Sequence, residues 1–163
     1  MSKAYLLLGS NQGDRAAILA DAVGRIGAVC GRTTALSPLY ESEPWGFEAD
    51  TWFLNQAVEL STDINPHRLL HMLLHVEHDL GRRRDDTPKG YASRPIDIDM
   101  LYYDDLVADT RDLVVPHPRL HLRRFVLLPL CDIAPDLPHP ILRLTQRQLL
   151  EKCFDTLKVR RLS

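Results

Sequence analysis

Residues 52–81 read WFLNQAVELSTDINPHRLLHMLLHVEHDLG, and this stretch decides the fold class. Trp52 to Leu60 is rich in apolar and aromatic residues and reads as a strand. Asn65 then offers a side-chain acceptor for the first free amides of a helix, and Pro66 suits the first turn, where a missing N–H goes unnoticed. Leu69, Leu73, Val76 and Leu80 recur at helical spacing, and Gly81 can end the helix.

Upstream, Ala4 to Leu8 reads as a buried strand, and Gly9 to Asp14 turns it into a helix from about Arg15 to Ala28. The glycines of that turn lack the spacing of a P-loop or a dinucleotide fingerprint, so the turn is read as structural. Thr33 to Tyr40 reads as a further strand, followed by a loop from Glu41 to Thr51. Downstream come a polar loop, Arg82 to Pro95, and a strand from Ile96 to Tyr103. The Pro-punctuated remainder holds short helices near Leu120 to Leu128 and Thr145 to Cys153. Strands near both ends, two central helices and one continuous core predict an α+β chain, a ferredoxin-like α/β sandwich with a mainly antiparallel sheet.

The 163 residues, 45% of them hydrophobic, suffice for one core, so a single domain over residues 1–163 is expected. Twenty Lys plus Arg against 22 Asp plus Glu leave a formal charge of -2, which recruits neither nucleic acid nor an anionic membrane. Cys30, Cys131 and Cys153 form no Cys-x-x-Cys pair and are odd in number, which argues against a disulfide framework or a zinc knuckle. No apolar run matches a signal peptide or a membrane span, so a cytoplasmic protein is expected, with no membrane partner.

The chemistry concentrates in Arg94-Pro95-Ile96-Asp97-Ile98-Asp99-Met100-Leu101. With a strand period of two, Asp97 and Asp99 share one face while Ile96, Ile98 and Met100 line the other. Like charges side by side need a compensating cation, either arginine or a metal. Hard oxygen donors without nearby His or Cys favour Mg²⁺, which takes one or two carboxylates together with phosphates and water. Arg82, Arg83, Arg84 and Arg94 bracket the loop leading into this strand and offer forks for phosphate. Together these are the parts of phosphoryl transfer. On the second strand Phe53 and Asn55 lie two apart and could present a ring and an amide to one flat ligand. Phe125, read alone, is core, and Trp45 between Pro44 and Gly46 is a packed loop anchor. His67, His71, His75 and His78 form a helical stripe that reads as a solvated face. It lacks the His-Glu-x-x-His order of a zinc protease.

Leu8-Gly9-Ser10-Asn11, Tyr40 to Gly46, Phe53-Leu54-Asn55, Glu77-x-x-Leu80-Gly81-Arg82-x-Arg84, Arg94-x-x-Asp97-Ile98-Asp99 and Pro116 to Phe125 occur in that order. Taken together they resemble the 6-hydroxymethyl-7,8-dihydropterin pyrophosphokinases, from about Tyr5 to Pro140. The resemblance implies a ferredoxin-like fold and a folate-pathway reaction. In it the pterin's hydroxymethyl oxygen attacks the β-phosphorus of ATP, and AMP leaves. It implies two Mg²⁺ ions on Asp97 and Asp99, and a catalytic set of Arg82, Arg94, Asp97 and Asp99. Nucleotide contacts fall on Glu77, Arg84, Arg94, His117 and Arg123. The pterin pocket falls on Ser42, Pro44, Trp45, Phe53, Asn55 and Phe125. A monomer is expected, with ATP and the pterin as its small-molecule partners. The loop from Arg82 to Pro95 is expected to close over the substrates. Tyr91-Ala92-Ser93 stands where the family often has Gly-Pro before the arginine, so Arg94 aligns but the neighbouring ring does not.

Two other readings use the same residues. A metal-dependent phosphodiesterase or nuclease would employ the Asp pair without a pterin acceptor. A non-catalytic nucleic-acid module on a ferredoxin-like sheet would want a basic face, which the near-neutral charge denies it.

Overall fold

The computed structural model describes residues 1–44, 51–82 and 94–162. Its strands are β1 (Ser2–Ser10), β2 (Arg32–Leu36), β3 (Leu39–Ser42), β4 (Phe53–Thr62), β5 (Asp97–Tyr103), β6 (Ala108–Asp109), β7 (Val114–Val115) and β8 (Val159–Leu162). Its helices are α1 (Arg15–Val29), α2 (Pro66–Asp79), α3 (Arg124–Ile133) and α4 (Gln146–Glu151), with a 3₁₀ turn at Leu120–Leu122. The main sheet runs β5-β1-β4-β3-β8, with β2 also on β4, and every pairing is antiparallel. Taking β2 and β3 as one broken strand, this is the split β-α-β of a ferredoxin-like sandwich.

The helix boundaries follow from local chemistry. Asp14 caps α1 by accepting the Ala17 N–H, and Gly13 takes the left-handed φ of +70° that the turn needs. Asn65 caps α2 through the Arg68 N–H, with Pro66 in the first turn. Gly81, at φ +101°, follows the end of α2. Thr145 and Gln148 form a reciprocal capping box on α4.

One face of the sheet packs against α1 and α2, with Leu6, Leu8, Leu19, Ile26, Leu60, Leu69 and Leu73 in a shared core. The other face packs Tyr5, Leu7, Leu101 and Tyr102 against α3 and α4. A third layer therefore covers the sheet. This agrees with strands buried on both sides, such as β1, whose last seven residues are all buried.

Two sequence expectations are revised. The strand read as Thr33 to Tyr40 is two strands, β2 and β3, parted at Ser37-Pro38. Pro38 has no N–H for the ladder, while the Ser37 hydroxyl accepts the Ala57 N–H at 2.9 Å and takes the place of a backbone acceptor. The helix read at Leu120 to Leu128 is a 3₁₀ turn followed by α3, which runs on to Ile133 through Pro129. No helix among the described residues is long and apolar enough to cross a membrane.

Candidate active site

β5 brings the acidic pair to the cleft by alternation. Ile98 and Met100 are buried toward α1 and α2, so Asp97 and Asp99 must face the opposite side. Two arginines meet Asp97: Arg82 donates to its Oδ1 at 2.6 Å, and Arg94 lies 3.6 Å from its Oδ2. Arg82 is itself buried and also donates to Glu77 Oε2 at 3.0 Å. Glu77, on the last turn of α2, accepts the Ile98 N–H at 2.7 Å. α2 is thus fastened to β5 through one carboxylate, which also holds Arg82 against Asp97. At the far side Asn11 accepts the Arg94 N–H at 2.7 Å and donates its own N–H to the Arg94 carbonyl. The loop after β1 thereby fixes where Arg94 begins.

Asp99 is in a different environment. Desolvation, then the negative charges of Asp97 and Glu77, push its carboxyl well above the ordinary range, and Arg123 and Arg94 only partly offset this. A carboxyl in that position calls for a further cation. Two oxygen-donor side chains on one strand face, with Arg82 and Arg94 alongside, fit Mg²⁺ and its preference for carboxylates shared with phosphate and water. Among the described residues no group of three or more His, Cys, Asp or Glu gathers for a transition metal, and His67, His71, His75 and His78 stand exposed on α2.

The pair opens into a cavity of about 470 Å³ lined by residues of several elements. Ser42 of β3, Phe53 and Asn55 of β4, and Phe125 of α3 line it together with Arg82, Arg94, His117, Arg119, Arg123 and the two aspartates. Asn55 is buried, and its amide nitrogen donates to Ser42 Oγ at 2.8 Å and to the Tyr40 carbonyl at 3.4 Å. The donor side of the amide is therefore occupied, leaving Oδ1 as an acceptor. Gly9 stands directly opposite. A Cβ there would come within 3.2 Å of Asn55 Oδ1 and 3.6 Å of Phe53 Cδ1, so glycine keeps this corner of the cleft open. Phe125 packs against the second core as well as lining the cavity, and the Arg123 guanidinium sits 5.6 Å over its ring.

His117 is held neutral. Desolvation, reinforced by Arg123, lowers its pKa to about 4, with Asp97 acting in the opposite sense. Its Nδ1 accepts the Arg119 N–H at 3.2 Å, so the ring proton resides on Nε2.

Of the residues expected from sequence, Ser42, Phe53, Asn55, Arg82, Arg94, Asp97, Asp99, His117, Arg123 and Phe125 line this one cavity. Glu77 lies beneath it, bonded to Arg82 and β5. Pro44 follows the lining residue Glu43 but does not line the cavity itself. Trp45, Arg84 and most of the loop from Arg82 to Pro95 fall outside the described residues. Leu7, Gly9, Glu43, Pro118 and Arg119 also line the cavity, and none of them was singled out for a site role. Gly9 carried a signal in Leu8-Gly9-Ser10-Asn11, but the turn was read as structural. Arg119 sits in the Pro116 to Phe125 stretch, which was quoted for the resemblance without assigning it a role.

Comparisons with known proteins place this chain among the phosphorus-group transferases. A profile described as 7,8-dihydro-6-hydroxymethylpterin-pyrophosphokinase (HPPK) matches residues 5–135, and the chain belongs to that family. A 2-amino-4-hydroxy-6-hydroxymethyldihydropteridine pyrophosphokinase of Methylorubrum extorquens is 46% identical over 138 residues, covering 84% of this chain and 85% of the relative. Those of Porphyromonas gingivalis (42% over 141 residues, 86% and 95% covered) and Bacillus subtilis (41% over 132 residues, 80% and 77% covered) are similar in extent. The wild-type Plasmodium falciparum HPPK-DHPS structure with SDX-DHP superposes with a TM-score of 0.75 at 19% identity. That match covers 93% of this chain but only 43% of the larger one, and it speaks for the fold. The chemistry of the family is pyrophosphoryl transfer in folate biosynthesis, and the phosphodiesterase or nuclease reading finds no support.

Proposed function

We propose that this chain, acting as one pyrophosphokinase domain over residues 1–163, transfers pyrophosphate from ATP to 6-hydroxymethyl-7,8-dihydropterin. The observation that carries the reading is a single cavity whose lining combines ring faces and a fixed amide, suited to a flat polar ring, with arginines and aspartates suited to phosphate. Phe53 and Phe125 supply apolar ring faces, and Asn55 Oδ1, fixed by Ser42, supplies an acceptor for an N–H on the pyrimidinone edge. Arg82, Arg94 and Arg123 supply positive charge within the same space.

In the reaction the hydroxymethyl oxygen bonds to the β-phosphorus, the bond from that phosphorus to the α,β-bridging oxygen breaks, AMP leaves with that oxygen, and the hydroxyl proton is released. Asp97 and Asp99 would hold two Mg²⁺ ions, which when bound neutralise charge on the polyphosphate. Arg82, bonded to Glu77 and Asp97, holds Asp97 in place before substrate arrives, so little reorganisation of that carboxylate remains at the moment of reaction. Arg94, anchored by Asn11, directs its guanidinium to the same end of the cavity. Neutral His117 offers an Nε2–H rather than another charge. Glu77 and Arg84 are further nucleotide-side residues in this proposal, with Pro44 and Trp45 on the pterin side. A cytoplasmic monomer completes it.

The test is nucleotide analysis after incubation with ATP, Mg²⁺ and the pterin. AMP is expected only when the pterin is present, in amount equal to the pterin diphosphate. ADP as the main product would overturn the assignment.

A further inference from the structure

β8 lies beyond the residues matched by the family profile, yet it completes the sheet next to the cleft. It pairs with β3 in the register Glu41↔Arg160 and Ser42↔Val159, while the other edge of β3 pairs with β4 as Ser42↔Phe53 and Tyr40↔Asn55. The chain just before β8 grips the next residue along as well: the Lys158 N–H donates to Glu43 Oε1 at 2.6 Å, and the Glu43 N–H donates to the Lys158 carbonyl at 3.1 Å. Without β8, the four residues of β3 would be an edge strand with unpaired backbone groups.

At the centre of this contact is Glu41, a buried carboxylate on the strand that carries Ser42. Its Oε1 accepts two N–H groups of Arg160, one of them at 2.8 Å, and its Oε2 accepts from Arg15 at 2.9 Å. The same Arg15 nitrogen donates to the Trp52 carbonyl at 2.8 Å, and the Arg160 guanidinium lies 5.6 Å from the Trp52 ring centroid. One carboxylate thus ties together the start of α1, the C-terminal strand and the entry to β4. Ser42 and Phe53, which line the cavity, are the immediate chain neighbours of Glu41 and Trp52. Burial alone would raise the Glu41 pKa, but the hydrogen bonds from Arg160 and Arg15 more than offset it and hold the group below its ordinary value.

We propose that Arg160, through Glu41 and Trp52, is a positioning residue for the ring-binding wall of the cavity, so that the C-terminal strand sets affinity for the pterin while leaving the phosphate side untouched. The inference rests on the pterin reading given above. A buried carboxylate that loses one of its two arginines is left half-compensated, and it relaxes by shifting toward solvent. On β3 that shift moves Ser42, whose hydroxyl fixes the Asn55 amide. Displacements of about half an ångström suffice to degrade such a site. The acidic pair and Arg82 are held instead by α2 and β5, to which β8 makes no pairing.

The experiment uses the full chain with Arg160→Ala, Arg160→Lys and Glu41→Gln. Each protein is titrated with a non-hydrolysable ATP analogue and Mg²⁺, then with 6-hydroxymethyl-7,8-dihydropterin in the presence of that analogue, and pterin KM and kcat are measured alongside. Arg160→Ala and Glu41→Gln should weaken pterin binding by about fivefold or more, with analogue affinity changed by less than about twofold and kcat retained at saturating pterin. Arg160→Lys, which keeps the charge but not the fork, should recover part of the loss. The Arg160 side chain is 69% exposed, so its removal leaves the core intact. Unchanged pterin affinity in Arg160→Ala, or an equal loss for both ligands, would overturn the clamp alone. Wild-type protein that binds the analogue but no pterin would overturn the substrate reading on which the clamp rests.

Discussion

Asp97 and Asp99 are two residues apart on one strand face and yet differ in what they need. Asp97 already has Arg82 and Arg94, whereas Asp99 is raised by desolvation and by the charges of Asp97 and Glu77. Those effects raise the Asp99 pKa to about 8, so at pH 7 folding takes up a proton that the unfolded carboxylate lacks. Asp99→Asn removes that cost, and the metal-free variant should melt at a higher temperature than wild type at pH 7. Its turnover should nevertheless fall by about a hundredfold or more, as when a group that stabilises developing charge is lost. A folded variant with near-normal Mg²⁺-dependent activity would contradict the metal site. Asn55 is the pterin acceptor in the proposed reading. On that reading Asn55→Ala would leave the ring's N–H without an acceptor and should weaken pterin binding by about 1–3 kcal/mol, with little change for an ATP analogue in parallel titrations. The two aspartates and Asn55 were legible as candidates because a period of two fixes which residues share a face. The locked orientation of the Asn55 amide was not, because it depends on Ser42 across a strand pairing that no local pattern announces.

α2 carries both packing and chemistry. Leu69, Leu73 and Val76 are buried along one stripe, and Glu77, also buried, takes the end of it to Arg82 and β5. Leu73→Ala should cost about 2–5 kcal/mol in urea unfolding, since it opens a cavity between α2 and the sheet. This helix could be read in full from its Asn65 cap, Pro66 and leucine spacing. Other elements could not. The β2–β3 break hinges on the Ser37 hydroxyl replacing a backbone acceptor, and β8 is four residues, Val-Arg-Arg-Leu, that look like a solvated tail until β3 is placed beside them. The third layer was legible only in pieces: short helices were read near Leu120 to Leu128 and Thr145 to Cys153, but Pro129 hid how far α3 runs, and no local pattern announces that both helices pack on the far face of the sheet.

Across the whole molecule, one buried histidine contributes to the loss of stability on the acid side. His139 is buried, and its Nδ1 accepts the Ile141 and Leu142 N–H groups, each at 3.1 Å. Protonation of Nδ1 would remove both acceptances. Desolvation, then the neighbouring His121, lowers its pKa below the ordinary 6.5. The folded pKa lies below the unfolded one, so the unfolded chain binds the extra proton first and stability falls as pH drops below about 6.5. His139→Asn keeps an acceptor that does not titrate. The melting temperature of wild type relative to this variant should therefore decline between pH 7 and pH 5, and a constant difference would contradict the assignment.

The central claim is that one cleft holds a pterin against β4 and α3 while the acidic strand and its arginines handle the polyphosphate of ATP. The most direct test supplies ATP labelled at either the β- or the γ-phosphorus, together with Mg²⁺ and 6-hydroxymethyl-7,8-dihydropterin, and follows the label into product. Both labels should appear in the pterin product with equal yield, because the two phosphoryl groups move as one unit. Transfer of the γ-label alone, with the β-label retained in ADP, would contradict the account.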